Sequence, residues 1–334
     1  MGRQRMRVLV TGATGFVGGW IAKAVHEHGH EVRLLARSPE KVADSVTFLG
    51  FDPDVVVGDI GDPDAVRRAL TGCDAVIHAA AEVALHAGKA DDLVRRNVEA
   101  CRNVLGQAAD LSMDPIVYVS SSGALWDAAE PGVAPNLPVR GGPDAYGQSK
   151  AAGERCAREL QDAGHPVVIV YPTAVMGPSA HGRFGEAGDA VITLTRAGVV
   201  GRTAALTIVD VRDVAELHAR VLEVGRGPRR YVAGGHRLGD AELARCLSEI
   251  TGRRIRHWPI PNSILAWAGR VADRVPGVVP PFLSQLSEAA IGYLVHAPIP
   301  DNTAAENDLG MTFLPAAETL AAVWDEHPSG GGSR

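Results

Sequence analysis

Thr11 to Gly18 reads TGATGFVG, directly after an apolar run and directly before a helical pattern. Glycine at position 12 permits a tight turn, at 15 a close backbone approach to a pyrophosphate, and at 18 close helix–sheet packing. The helix N-terminus then presents free N–H groups to an anion. The spacing is G-x-x-G-x-x-G rather than G-x-G-x-x-G, and the alternative is a purely structural turn. Thr14, Phe16 and Val17 complete the loop. Further on, Tyr146 and Lys150 stand four residues apart in YGQSK, which puts both side chains on one helix face. A free phenol titrates near ~10. A neighbouring ammonium, with the positive charge of an oxidised nicotinamide, favours the phenolate. Tyr146 then gives or takes a proton at a substrate oxygen while hydride moves at the adjacent carbon. Ser122, closing IVYVSSS, is placed to hold that oxygen by hydrogen bonding.

The second apolar run ends Leu34-Leu35-Ala36-Arg37-Ser38. An enzyme built for NAD commonly has an acid here for the ribose hydroxyls. Ala36 cannot serve, and Arg37 suits a 2′-phosphate, the alternative being a solvated surface arginine. NADP(H) is therefore favoured over NAD(H), with NAD(H) still admissible. Asp59, in VVVGDI with Ile60 beside it, sits where adenine would lie; its alternative role is helix capping.

These residues need a scaffold. Val8–Val10, Val32–Leu35, Val55–Val57, Ala75–Ile77, Ile116–Val119 and Val167–Val170 are apolar runs without alternation, expected as strands buried on both faces. Helical patterns at Phe16–His28, Asp64–Leu70, Ala90–Ala109 and Tyr146–Ala163 separate them. The expectation is an α/β fold, a Rossmann-type doubly wound parallel sheet. Past Pro178 the texture changes: helices at Asp189–Ala197, Val211–Glu223, Asp240–Ile250 and Asn262–Arg274 and a short strand at Arg229–Val232 suggest a smaller C-terminal substrate-binding lobe. The expected division is a dinucleotide-binding domain over 1–178 with contributions from about 200–225, a substrate lobe over 179–327, and a disordered tail, 328–334.

At 334 residues, one large or two interlocked domains are expected. Lys+Arg number 33 against 39 for Asp+Glu, a net charge of −6, which argues against nucleic acid as a partner. The four cysteines lie far apart, so neither a zinc site nor a disulfide framework is expected. There is no secretory signal pattern and no uninterrupted apolar span, and the expected location is the cytoplasm.

TGATGFVG, VVVGDI, VIHAAA, Asn97 in RNVEACRNVL, YVSSS, YGQSK and YPTAVMGP follow in order. The chain closely resembles the extended short-chain dehydrogenase/reductase superfamily over roughly its first 220 residues. The resemblance implies a Ser122–Tyr146–Lys150 triad, with Lys150 also bonding the nicotinamide ribose and Asn97 organising the proton relay. It implies that Ala79, Ala80, Ser120, Pro172 and Val175 line the cofactor. It also implies that Ala90–Ala109 and Tyr146–Ala163 are the helices that pair across a homodimer. Ala174 stands where sugar-nucleotide epimerases usually carry Asn, and GRTAALTIVDVRDVAE lacks their G-x-G…R-D run. What remains resembles the dihydroflavonol reductase, cinnamoyl-CoA reductase and 3β-hydroxysteroid dehydrogenase branch, which implies reduction of an apolar carbonyl compound or oxidation of its alcohol. The alternatives are a nucleotide-sugar epimerase or dehydratase and a non-catalytic dinucleotide sensor. Tyr171 departs from the Arg usual before the proline.

His26, His28 and His30 have the composition of a metal site, but they sit at the far end of the first helix and are read as a solvated helix end, with no metal assigned. His78 reads as a satisfied buried histidine. Ile264, Trp267, Ala268 and Val271 share one face of Asn262–Arg274, read as packing within the substrate lobe rather than membrane contact.

Overall fold

The computed structural model describes residues 5–81, 90–274 and 288–328. In chain order the elements begin β1 Arg7–Thr11, α1 Phe16–Glu27, β2 Glu31–Ala36, α2 Pro39–Leu49, β3 Asp54–Val57, α3 Pro63–Leu70, β4 Ala75–His78 and α4 Ala90–Asp110. Next come β5 Ile116–Val119, α5 Ser122–Leu125, β6 Gly132–Val133, α6 Ala145–Asp162, β7 Val167–Pro172, β8 Ala174–Met176, α7 Gly185–Ala197 and β9 Val199–Val200. The remainder is β10 Ala205–Asp210, α8 Val211–Arg220, β11 Arg229–Ala233, β12 His236–Gly239, α9 Asp240–Thr251, β13 His257–Trp258, α10 Asn262–Arg274, α11 Glu288–Val295, β14 Ile299–Pro300, α12 Thr303–Leu309 and α13 Ala316–Glu326.

Seven strands form one parallel sheet in the order β11-β7-β5-β4-β1-β2-β3. Successive residues of a strand serve opposite faces: Val8 and Val10 join one core with Ile21, Leu34 and Leu217, while Leu9 joins another with Val104, Leu105 and Ala157. Both faces are covered by helices, which is why these strands read as unbroken apolar runs. The order reverses beside β1, between β1 and β4, and opens a crevice at the carboxyl ends of the strands.

Arg229–Val232, expected as a short strand of the smaller lobe, belongs instead to β11, the seventh strand of the main sheet, parallel to β7. Helix α8 brings the chain there, and Leu217, Ala219 and Val221 join the core that also holds Ile21 and Val25 of α1. A third core gathers Met176, Val191, Ile192, Leu243, Leu247, Leu320 and Val323 from α7, α9, α13 and the small sheet β12-β10-β8. The tail read from Pro328 lies, past that residue, outside the described residues.

The outward face of α10 also differs from expectation. Ile264 and Trp267 are 53% and 62% exposed, whereas Leu265 is buried. The helix turns Leu265 inward and pairs Arg270 with Glu288 of α11 at 3.6 Å, so its aromatic side is left to solvent. The histidines at the end of α1 and just past it are each engaged: His26 stacks on Phe51 with ring centroids 4.0 Å apart, His28 meets Glu216 at 2.8 Å, and His30 accepts from the Met6 amide. No helix among the described residues is long and apolar enough to cross a membrane.

Tyr171 acquires a structural account. It is fully buried on β7 and its hydroxyl donates to Glu154 Oε1 on α6 at 2.6 Å. Arg158, one turn along the helix, donates to the same oxygen at 2.7 Å and to the Tyr171 hydroxyl at 3.1 Å. A buried carboxylate needs a paired charge. Here α6 supplies it, and the strand supplies only a phenol.

Candidate active site

The first crossover builds the phosphate cradle. Gly12 turns with φ +79°, and its carbonyl accepts from the Gly15 amide at 2.9 Å. A side chain on Gly12 would lie 2.8 Å from the backbone of Ala80, and one on Gly18 would overlap the Gly12 carbonyl. Helix α1 starts at Phe16 with no side chain capping it, leaving its first N–H groups for an anion. Thr11 Oγ1 accepts from the Ala80 amide at 3.3 Å and meets His78 Nδ1 at 2.8 Å, tying the ends of β1 and β4 together. His78 is buried, and desolvation lowers its pKa to about 3. It is a neutral structural histidine.

One cavity of about 910 Å³ runs along the crevice. Gly12, Thr14, Gly15, Phe16, Val17, Gly18, Arg37, Asp59, Ile60, Ala79, Ala80, Ser120, Ser122, Tyr146, Lys150, Pro172 and Val175 all line it. Asn97 does not. Its amide donates to Ser149 Oγ at 3.1 Å, on α6 between Tyr146 and Lys150, so it braces the helix from α4. At the far end, Arg37 lies 3.9 Å from Asp59, both well exposed. Asp59 Oδ1 accepts from the Gly61 amide, while the cap of α3 is Asp62. Lys41, one turn into α2, lines the same end. It was not singled out in the sequence, although Ser38 followed by Pro39 is a helix start.

Helix α6 is capped by Asp144, whose Oδ1 accepts from the Gly147 amide at 2.8 Å. Lys150 is buried and donates to the Val119 carbonyl at 2.9 Å, with its ammonium 5.9 Å from the centre of the Tyr146 ring. Burial lowers its pKa to about 8, against an upward pull from Cys101 and Glu154. Burial pushes the Tyr146 phenol up to about 12; a hydrogen bond with Ser121 draws it back, and Glu186 and Asp144 drive it further up. The expectation that the Lys150 ammonium and an oxidised nicotinamide together favour the phenolate counts a charge that the cofactor would bring. Among the chain's own groups, burial outweighs the Ser121 hydroxyl and favours the protonated phenol.

All three serines of the triplet line the cavity. Ser121, two residues past β5, caps α5 by accepting from the Gly123 amide at 3.1 Å, and its hydroxyl draws the Tyr146 phenol down. Ser122 is the first residue of that short helix and lines the cavity beside it. Buried Ser120 Oγ has no partner among the described residues. If Ser121 rather than Ser122 steadies the substrate oxygen, Ser121→Ala should cut turnover about tenfold more than Ser122→Ala; steady-state kinetics on the two variants with one carbonyl substrate decides this.

Beyond Tyr146 the cavity wall becomes apolar. Ala174, Val191, Leu194, Leu206, Leu294 and Pro298 form it, with Trp126 and Tyr293 above and Thr193 and Thr207 among them. Sequence reasoning missed Trp126, Glu186 and Tyr293, which come from loops and helices without motif signals.

A glycine turn leading into a helix, a crevice at the strand ends and a Tyr–Lys pair one helical turn apart define a dinucleotide-dependent enzyme. The cradle that any added side chain would fill, and the unpartnered Ser120 hydroxyl, fit such a dinucleotide. The profile of the NAD dependent epimerase/dehydratase family matches residues 8–234. Cinnamoyl-CoA reductase 1 of Oryza sativa subsp. japonica is 31% identical over 269 residues, covering 75% of this chain and 77% of that one. A putative dihydroflavonol 4-reductase of Synechocystis sp. is 32% identical over 268 residues, covering 77% and 75%. Vestitone reductase of alfalfa superposes with a TM-score of 0.71 at 19% identity, over 96% of this chain and 97% of that structure. The chain belongs to the NAD dependent epimerase/dehydratase family, within the extended short-chain dehydrogenases/reductases, and is an NAD(P)-dependent oxidoreductase.

Proposed function

We propose that the protein reduces the carbonyl group of a largely apolar small molecule, or oxidises the corresponding alcohol, using NADP(H). The observation that carries this reading is that Tyr146, the glycine cradle and an apolar wall all line one continuous cavity. The reductases named above support the same direction, as does Ala174 where a diphosphate-binding amide would stand. The reduced dinucleotide supplies the hydride. Tyr146, protonated in the folded protein, gives its proton to the carbonyl oxygen as that hydride reaches the carbon. A hydroxyl of the serine pair Ser121–Ser122 holds the oxygen, and the Lys150 ammonium offsets the negative charge of the phenolate so formed. Asn97 keeps the intervening turn of α6 in place.

Arg37 and Lys41 form the end of the cavity suited to a 2′-phosphate. A charge-assisted contact of this kind contributes about 1.5–3 kcal/mol, roughly ten- to a hundredfold in affinity. Calorimetric titration should find NADPH bound tighter than NADH by that margin, and Arg37→Asp should reverse the order. Tighter NADH in the unmodified protein would sink the cofactor assignment. For the reaction itself, excess NADPH with a mixed carbonyl library should be consumed in proportion to alcohol formed. Conversion of a UDP- or dTDP-sugar without net NADPH loss would replace this reading with an epimerase or dehydratase.

A further inference from the structure

We propose that Tyr293 is a positioning residue that fastens the substrate wall to the catalytic helix. The kinetic half of this inference rests on the reductase reading; the structural half does not.

Tyr293 lies on α11, nearly 150 positions along the chain from the residue it touches. Its hydroxyl donates to Asp144 Oδ1 at 3.0 Å. The same oxygen accepts from the Gly147 amide at 2.8 Å and so caps α6. Two residues after that cap comes Tyr146, and one turn further Lys150. The phenol reaches this position because residue 142 has no side chain: a Cβ there would overlap the Tyr293 hydroxyl. Trp126 meets the ring edge-on, with centroids 5.5 Å apart at 67°, and fixes its orientation. Burial holds the Tyr293 phenol well above its usual range, so it remains a donor.

The same helix supplies Ala290 and Leu294 to the cavity wall, and Ala297 and Pro298 follow directly. One hydrogen bond therefore joins the surface against which a substrate packs to the turn that aims Tyr146. It also shares the negative charge of Asp144, which otherwise acts in full on the Tyr146 phenol. A substrate seated against α11 thereby steadies the acid that protonates it.

The test uses the full-length chain with Tyr293→Phe, which keeps the ring against Trp126 and removes only the hydroxyl. Hydrogen–deuterium exchange without cofactor should quicken at least about tenfold both in residues 288–295 and in the first turn of α6, residues 145–149. With a validated carbonyl substrate, kcat should fall about tenfold, while the calorimetric Kd for NADPH stays within about twofold. Exchange that quickens only in residues 288–295, or nowhere, overturns the proposal. So does a rise in KM at unchanged kcat, since that is what a mere lining residue would give. If no carbonyl compound is turned over, the reductase reading fails by itself, and the exchange measurement still decides whether Tyr293 positions α6.

Discussion

Replacing Tyr146 with Phe should lower turnover of a carbonyl substrate by about 10²- to 10⁴-fold, the range that a positioned general acid contributes. The phenol oxygen is the only group removed, and the cradle around Gly12 and Gly15 is untouched. The Kd for NADPH should therefore stay within about threefold, measured by calorimetry beside the kinetics. In the unmodified protein the sign of the pH dependence follows from burial. Tyr146 holds its proton up to about 12, so the acid form is present throughout the neutral range. Lys150 favours its neutral form from about 8 upward, because desolvation lowers it. Reduction should run level through neutrality and decline above about pH 8, as the lysine charge is lost. Near-normal turnover in Tyr146→Phe would show that another group gives the proton.

Gly18→Ala should weaken NADPH binding by about a hundredfold, equivalent to ~2.7 kcal/mol. The added methyl overlaps the Gly12 carbonyl oxygen and lies 2.6 Å from the Gly12 carbonyl carbon and 3.0 Å from the Ala13 nitrogen. Backbone cannot step aside as a flexible side chain can. Either α1 rises off the sheet or the turn opens, and each moves the N–H groups that face the pyrophosphate. Titration of the variant with NADPH, alongside circular dichroism to verify the helix content, measures this. Binding within threefold of the unmodified chain would mean that the anion is held elsewhere.

The parts of the molecule legible in the sequence are those whose chemistry is local. A turn needing glycine, a helix start and a Tyr–Lys pair one turn apart each announce themselves within eight residues, and strands covered on both faces show as runs without alternation. What was not legible depends on partners remote in sequence. Nothing within Arg229–Ala233 says that it lies against β7 rather than in a smaller sheet, because a strand's neighbour is chosen by the crossover that delivers it. In the serine triplet, the choice between 121 and 122 turns on where β5 stops and α5 begins. A shift of one residue there exchanges the hydroxyl that caps α5 for the one that begins it, and boundaries are the least certain part of any pattern reading. Helix α2 was overlooked despite its Ser-Pro start, and Lys41 went with it. Tyr293 carries no local signal at all; its meaning exists only once α11 has folded back onto the cap of α6.

The pairing of β11 with β7 has a bearing on how the chain is made. Synthesis runs from the N-terminus, so six strands of the main sheet emerge before residues 173–228 and only then the seventh. Throughout that interval β7, whose sequence is VVIVYP and whose residues are all buried in the finished protein, has one backbone edge without a strand to pair. An apolar, unpaired edge is a template for joining another chain. The nascent domain thus leaves the ribosome with an apolar strand outermost, and that strand is covered only when Arg229–Ala233 arrives to pair with it.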